Sequence, residues 1–140
     1  MPFVYLDASA AVKAIREKGE EGSAALQAYL GGADLVSSEL VLTEVPRALR
    51  RVAAELPRFQ LEPALQRTAE LLDAMALRPL DDALLIGAGL LAEPNLRSLD
   101  AIHVVTAIHV YPIDAFVTYD TRQAAVARLA GLKTVAPGVE

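Results

Sequence analysis

The chain has 140 residues, 54% of them hydrophobic and 22% charged, with a formal net charge of −5; that is enough for one well-packed domain spanning 1–140 and too little for two. No apolar run reaches the roughly 18 residues that a membrane span requires, and no basic start leads into an apolar stretch with a cleavage site, so a cytoplasmic protein with no membrane partner is expected. With no cysteine and only His103 and His109 as histidines, disulfides, thiolate metal sites and a cysteine nucleophile are excluded, and a metal would be held mainly by carboxylates, which suits Mg²⁺ or Mn²⁺ better than Zn²⁺.

The first element is a short, β-prone apolar run over 2–6, as expected of a strand buried on both faces. It stops at Asp7, and Ala11, Val12 and Ile15 then recur at helical spacing over 9–18, with Gly19 as a stop signal. A second helix is expected over 22–30, ended by Gly31 and Gly32, followed by a brief strand at 35–37. The stretch 39–56 is helical in pattern, but Pro46 removes a backbone donor, so a kink or a new helix start is expected just after Glu44. A helix over 61–76 carries Leu65, Leu72 and Met75 on its apolar side and tolerates Pro63 in its first turn. A strand at 77–80 leads to Asp81 and Asp82, which cap a helix over 83–92 so uniformly apolar that it is expected to be central or to form a subunit contact. Ser98 is a cap candidate for a helix over 99–110; a strand at 115–119, a helix over 121–130 and a strand at 132–135 complete the chain, with Gly131 at a helix C-terminus.

Strands separated by helices, with no Asn-Gly or Asp-Gly hairpin signal, imply a mostly parallel sheet of four or five strands between helical layers. Two strands at opposite ends of the chain share one plan, since Phe3-Val4-Tyr5-Leu6 ends at Asp7 and Phe116-Val117-Thr118-Tyr119 ends at Asp120, each acid opening a helix. N-capping alone accounts for either aspartate. Glu44 stands in the otherwise apolar run of residues 40–45, and Asp100 lies in the first turn of its helix. If the two strands are neighbours, these acids meet in the crevice at the strand ends, where α/β sheets place their ligands. Like charges ~4 Å apart repel by about 4 kcal/mol at an effective dielectric near 20, and a divalent cation removes that repulsion. Such a site supports metal-assisted hydrolysis of a phosphodiester.

Ser9, two residues after Asp7, and Thr118, two before Asp120, are candidates for a supporting role, while capping and strand packing are their ordinary uses. His103, one turn after Asp100, is placed to touch substrate, but its apolar neighbours Ile102 and Val104 favour a buried, packed histidine. The acidic balance opposes simple electrostatic adhesion to nucleic acid. Yet Arg47, Arg50 and Arg51, with Arg58 beyond them, form a local basic stretch, and Lys13 and Arg16 lie three apart on the first helix. Arg47, Arg50 and Arg97 are candidate contacts to a nucleic acid or to a protein partner; a merely solvated face is the alternative.

The residues Tyr5-Leu6-Asp7-Ala8-Ser9-Ala10, Thr43-Glu44-Val45, Arg97-Ser98-Leu99-Asp100-Ala101-Ile102-His103 and Phe116-Val117-Thr118-Tyr119-Asp120 resemble the motifs of PIN-domain ribonucleases, most closely VapC toxins of VapBC toxin–antitoxin pairs. The resemblance implies that the first and fourth strands are adjacent. It also implies that Asp7, Glu44, Asp100 and Asp120 gather one or two Mg²⁺ or Mn²⁺ ions with Ser9 in support. The implied activity is endonucleolytic hydrolysis of RNA, leaving a 3′-hydroxyl and a 5′-phosphate. A VapB antitoxin covering the acids, a homodimer, and promoter DNA bound only through the antitoxin are the implied partners. Thr118 and Thr121 stand where some PIN domains carry a further acid, so a second metal would lack that ligand.

Two other classes remain open at this level. A receiver-like binding module also has acids at parallel strand ends, but it needs adjacent acids after its first strand, and Asp7 is followed by Ala8. A phosphatase of the haloacid-dehalogenase type needs an Asp-x-Asp pair, and position 9 is Ser. A PIN fold that only binds a partner is the third reading.

Overall fold

The computed structural model describes residues 1–18 and 23–139. The stop signal at Gly19 and the expected helix start at Gly22 lie outside the described residues. Five strands, β1 (Phe3–Leu6), β2 (Asp34–Ser38), β3 (Met75–Arg78), β4 (Ala115–Val117) and β5 (Thr134–Val135), form one sheet in the order β3-β2-β1-β4-β5. Every pairing is parallel. The helices are α1 (Ala8–Arg16), α2 (Ala24–Gly31), α3 (Val41–Glu55), α4 (Leu61–Asp73), α5 (Asp82–Gly89), α6 (Ser98–His109) and α7 (Thr121–Leu129).

The sheet is central because both of its faces are apolar. Side chains alternate across a strand, and in β1 this sends Val4 and Leu6 to one face and Tyr5 to the other. Val4, Leu6, Ala115 and Val117 join Ala10, Ala14 and Ile15 of α1, Val45 and Leu49 of α3, and Ala64 of α4. Tyr5, Val36 and Phe116 join Val104 and Ala107 of α6, with Val126 and Ala127 of α7. The two clusters are the two sides of an α/β/α sandwich. No helix among the described residues is long and apolar enough to cross a membrane.

Four local readings change. Pro46 does not break its helix, since α3 runs unbroken from Val41 to Glu55. The proline lacks the N–H that would have bonded the carbonyl of Leu42, an exposed residue in the first turn of the helix. Met75 belongs to β3 and is buried there; α4 ends at Asp73, with Ala64 and Thr68 buried and Leu65 and Leu72 packed against the core as expected. Helix α5 is not central, because only Leu84 is buried, while Leu85 and Ile86 in its middle and the C-cap residue Leu90 are exposed. The cap position of α6 is Arg97, with Ser98 its first residue and no side-chain cap bond. Gly131, at φ 90°, follows α7 in the left-handed conformation that suits glycine.

Candidate active site

Strand β1 pairs with β4 in the register Tyr5↔Phe116 and Leu6↔Val117, and the Asp7 N–H bonds the Val117 carbonyl at 3.2 Å. This pairing brings the two strand-end aspartates to the same edge of the sheet. Asp7 caps α1, its Oδ1 accepting from the Ala10 N–H at 2.9 Å and from the Ser9 hydroxyl at 2.8 Å. Its Oδ2 lies 2.7 Å from the Thr118 hydroxyl. Asp7 is 3% exposed. Burial lifts its carboxyl pKa above the ordinary value, while hydrogen bonds from Ala10 and Thr118, the nearby His103 and Ser9 oppose the lift.

Asp120 caps α7, accepting from the N–H groups of Arg122 at 2.9 Å and Gln123 at 3.0 Å. Capping therefore coexists with the placement of both aspartates at the crevice. Asp100, in the first turn of α6, takes the Arg97 Nε at 3.1 Å, and the same guanidinium reaches Asp120 at 3.8 Å. Glu44, in the first turn of α3, takes the His103 Nε2 at 2.6 Å, and the opposite ring nitrogen meets the Tyr5 hydroxyl at 2.7 Å.

Asp7, Ser9, Glu44, Asp100 and Asp120 all line one groove of about 740 Å³. So do Lys13 and Arg16 of α1, Arg47 and Arg51 of α3, and Arg97. Counting Glu17, five acids and five bases line the groove, so the chain's overall acidity is offset there by cations on α1 and α3 and by Arg97. Arg50 is exposed but is not part of that lining; Arg51, one residue on, is.

The donor set fits a hard cation. Four carboxylates supply oxygen, and both ring nitrogens of His103 are already hydrogen-bonded, which leaves no soft or imidazole ligand at the groove. Among the described residues no three His, Cys, Asp or Glu side chains converge closely enough to hold an ion as they stand. In the groove Arg97 engages Asp100 and Asp120, and His103 engages Glu44.

Three residues escaped the sequence reading or were underrated by it. Thr118, read chiefly as strand packing, bonds Asp7, and its hydroxyl also lies 2.9 Å from the Oε1 of Gln123. Gln123 is fully buried and donates to the Asp100 carbonyl at 3.3 Å, tying α7 to α6. Tyr5 was read only as a strand residue. A glutamine three positions after a capping aspartate was the one available signal for Gln123, and it is too common to point to a site.

The PIN domain family matches residues 4–129 of the chain. Ribonuclease VapC35 of Mycobacterium tuberculosis is 36% identical over 153 residues, covering 97% of this chain and 98% of that protein. Ribonuclease VapC47 of the same organism is 34% identical over 140 residues, with the same coverage. Among solved structures, VapBC2 from Rickettsia felis bound to a DNA fragment from their promoter superposes with a TM-score of 0.67 at 14% identity, covering 95% of this chain and 97% of the other. At that identity the likeness speaks for the fold.

Proposed function

Since the chain belongs to the PIN-domain family, among the VapC ribonucleases, we propose that it is the RNA-cleaving toxin of a toxin–antitoxin pair and hydrolyses RNA with Mg²⁺ or Mn²⁺ held by Asp7, Glu44, Asp100 and Asp120. The observation that carries this reading is the meeting of four carboxylates from four separate segments on one groove. A bound cation supplies positive charge that polarises the phosphodiester and makes water a stronger nucleophile.

The protein's own side chains do the rest. Ser9 and Thr118 fix the orientation of the Asp7 carboxylate from two directions. Arg97, 79% exposed at its side chain, is free to exchange its carboxylates for a substrate phosphate, a bidentate partner of equal geometric fit. Arg47 and Arg51 are one helical turn apart, as are Lys13 and Arg16, and these pairs offer phosphate contacts on the helices that line the groove.

A VapB-type antitoxin is the proposed partner, supported by the complex in which the fold's structural neighbour occurs. Promoter DNA is assigned to the pair, through the antitoxin. The receiver-like reading loses its ground, because the family match and the carboxylate groove both point to nuclease architecture.

The purified protein is expected to cut RNA in Mg²⁺ or Mn²⁺, to lose at least about 100-fold in rate in EDTA, and to recover on metal addition. Undiminished cleavage in EDTA, or no cleavage of any RNA with either metal, defeats the proposal. Reversing Arg47 and Arg51 together to Glu is expected to weaken RNA binding about 10-fold or more and to flatten its salt dependence by about one unit of slope per lost phosphate contact. Arg50→Glu, outside the groove lining, serves as the comparison. Equal losses in the two variants remove the groove-specific role of Arg47 and Arg51.

A further inference from the structure

We propose that Tyr5 and His103 form a buried positioning relay that aims Glu44 into the groove, so that His103 belongs to the active site without being a ligand or touching substrate. The proposal rests on the reading of Glu44 as one of the metal-holding acids. The four acids differ in how they are held. Asp7 and Asp120 are short side chains fixed by backbone N–H groups at helix starts. Asp100 is paired with Arg97 on its own helix. Glu44 is longer, has no such backbone bond, and is held through its Oε1 by His103 from a different helix, 59 positions along the chain.

The relay is assembled from three elements. Tyr5 is fully buried in β1, its ring stacked on Phe116 at 5.2 Å with the planes 5° apart and set edge-on to His103 at 5.8 Å. His103, 1% exposed on α6, has the Tyr5 hydroxyl at one ring nitrogen and Glu44 at the other. With Glu44 ionised and the ring neutral, one hydrogen arrangement satisfies all three. An ionised carboxylate only accepts, so the Nε2 of His103 carries the hydrogen; in a neutral ring Nδ1 then accepts, and the Tyr5 hydroxyl donates to it. Burial pushes the Tyr5 pKa up, which keeps its hydroxyl a donor. In that arrangement the Tyr5 hydroxyl selects the tautomer of the histidine, and the histidine holds the glutamate. Side chains that orient a ligand in this way cost about 10- to 100-fold in metal affinity or activity when lost.

The test uses the full chain and reads Mn²⁺ affinity, kcat and KM on one RNA, and the melting temperature. Tyr5→Phe keeps the ring and its stack while removing the hydroxyl, so it reports on the relay if a bulkier change disturbs folding. It is expected to lower kcat about 5- to 10-fold at nearly constant KM and to weaken Mn²⁺ binding several-fold. His103→Leu is expected to lose about 100-fold in kcat, and His103→Gln, which returns a donor near the Nε2 position, to regain most of that loss. Adding His103→Leu to Glu44→Ala should cost nothing further, because the relay acts only through Glu44. Additive losses, or a His103→Leu defect that follows the unfolded fraction alone, overturn the relay. If Glu44→Ala impairs Mn²⁺ binding and cleavage while His103→Leu does neither, the relay alone fails. If Glu44→Ala changes nothing, the assignment of Glu44 to the acids fails and the relay falls with it.

Discussion

Asp7→Asn is expected to lower RNA cleavage by about 100- to 1000-fold and, at neutral pH, to melt at a higher temperature than the parent protein. The loss follows from replacing an acceptor-only carboxylate with a neutral amide at the most buried of the four acids. The stabilisation follows from burial, which raises the folded-state pKa of Asp7. An unfolded aspartate titrates near 3.9. Above that value the unfolded chain has released its proton while the folded chain still holds it, so the folded state loses stability as pH rises from about 4 through the raised folded value, and the loss then levels off. Asparagine carries no such charge, and its advantage grows over the same window. Each pK unit of difference is worth about 1.4 kcal/mol, and each kcal/mol moves the melting temperature of a domain this size by about 3–5 °C.

The hydrogen bonds favour the same variant. Thr118 has one hydroxyl proton and two acceptors, Asp7 Oδ2 at 2.7 Å and Gln123 Oε1 at 2.9 Å. The amide of the substituted asparagine can donate to Thr118, which then donates to Gln123, and no acceptor is left short. Melting curves of the metal-free proteins from pH 4 to 8 should therefore converge at the acid end and separate towards neutrality. A variant that cleaves at the parental rate refutes the catalytic assignment; one that melts lower than the parent at pH 7 refutes the electrostatic argument.

The order of elements was legible because each strand is a short β-prone run and the helices are marked either by their own period, as in α1 and α3, or by flanking caps and glycines, as in α2 and α5. Periodicity does not reveal which strands lie side by side, and the adjacency of β1 and β4 entered through the family resemblance; the parallel register now supports it. Where the reading slipped, a local rule met a tertiary circumstance. Pro46 is harmless to α3 where the deprived carbonyl belongs to an exposed residue. Met75 extends the spacing of Leu65 and Leu72, yet the chain leaves the helix two residues earlier to reach the sheet edge beside β2. The apolar composition of α5 suggested a central helix or a subunit contact; the helix is not central, because composition carries no information about which side the core lies on, and much of that surface faces outward.

The acids were legible for a different reason, since strand ends and helix starts are sequence-local features. Their partners were not. The bonds from His103 to Glu44, from Thr118 to Asp7 and from Gln123 to Asp100 join residues on different elements, and they depend on how those elements pack. His103 illustrates the limit well. Its apolar neighbours Ile102 and Val104 did foretell its burial, but burial alone does not distinguish a packed ring from one that spans strand and site.

Phe116→Ala is expected to produce the largest loss of stability, about 3–5 kcal/mol, set against the roughly 5–15 kcal/mol that holds a typical domain together. Phe116 is fully buried in the middle of β4, between β1 and β5, and is stacked on Tyr5, its partner in the parallel register. Alanine leaves a cavity in the layer beneath α6 and α7, and a three-residue strand has little other packing with which to close it. Because β4 leads to Thr118 and Asp120, the variant also loosens one wall of the crevice. Its inactivity should nonetheless differ in kind from that of Asp7→Asn. Urea titrations should show a much lower midpoint with an unchanged slope, and cleavage should return in part at low temperature as the folded fraction recovers, whereas Asp7→Asn stays inactive at every temperature at which it is folded. A Phe116→Ala protein melting within about 2 °C of the parent would mean that the collapsed cavity costs less than roughly 1 kcal/mol, and that the Tyr5–Phe116 stack is not what joins the two aspartate-bearing strands.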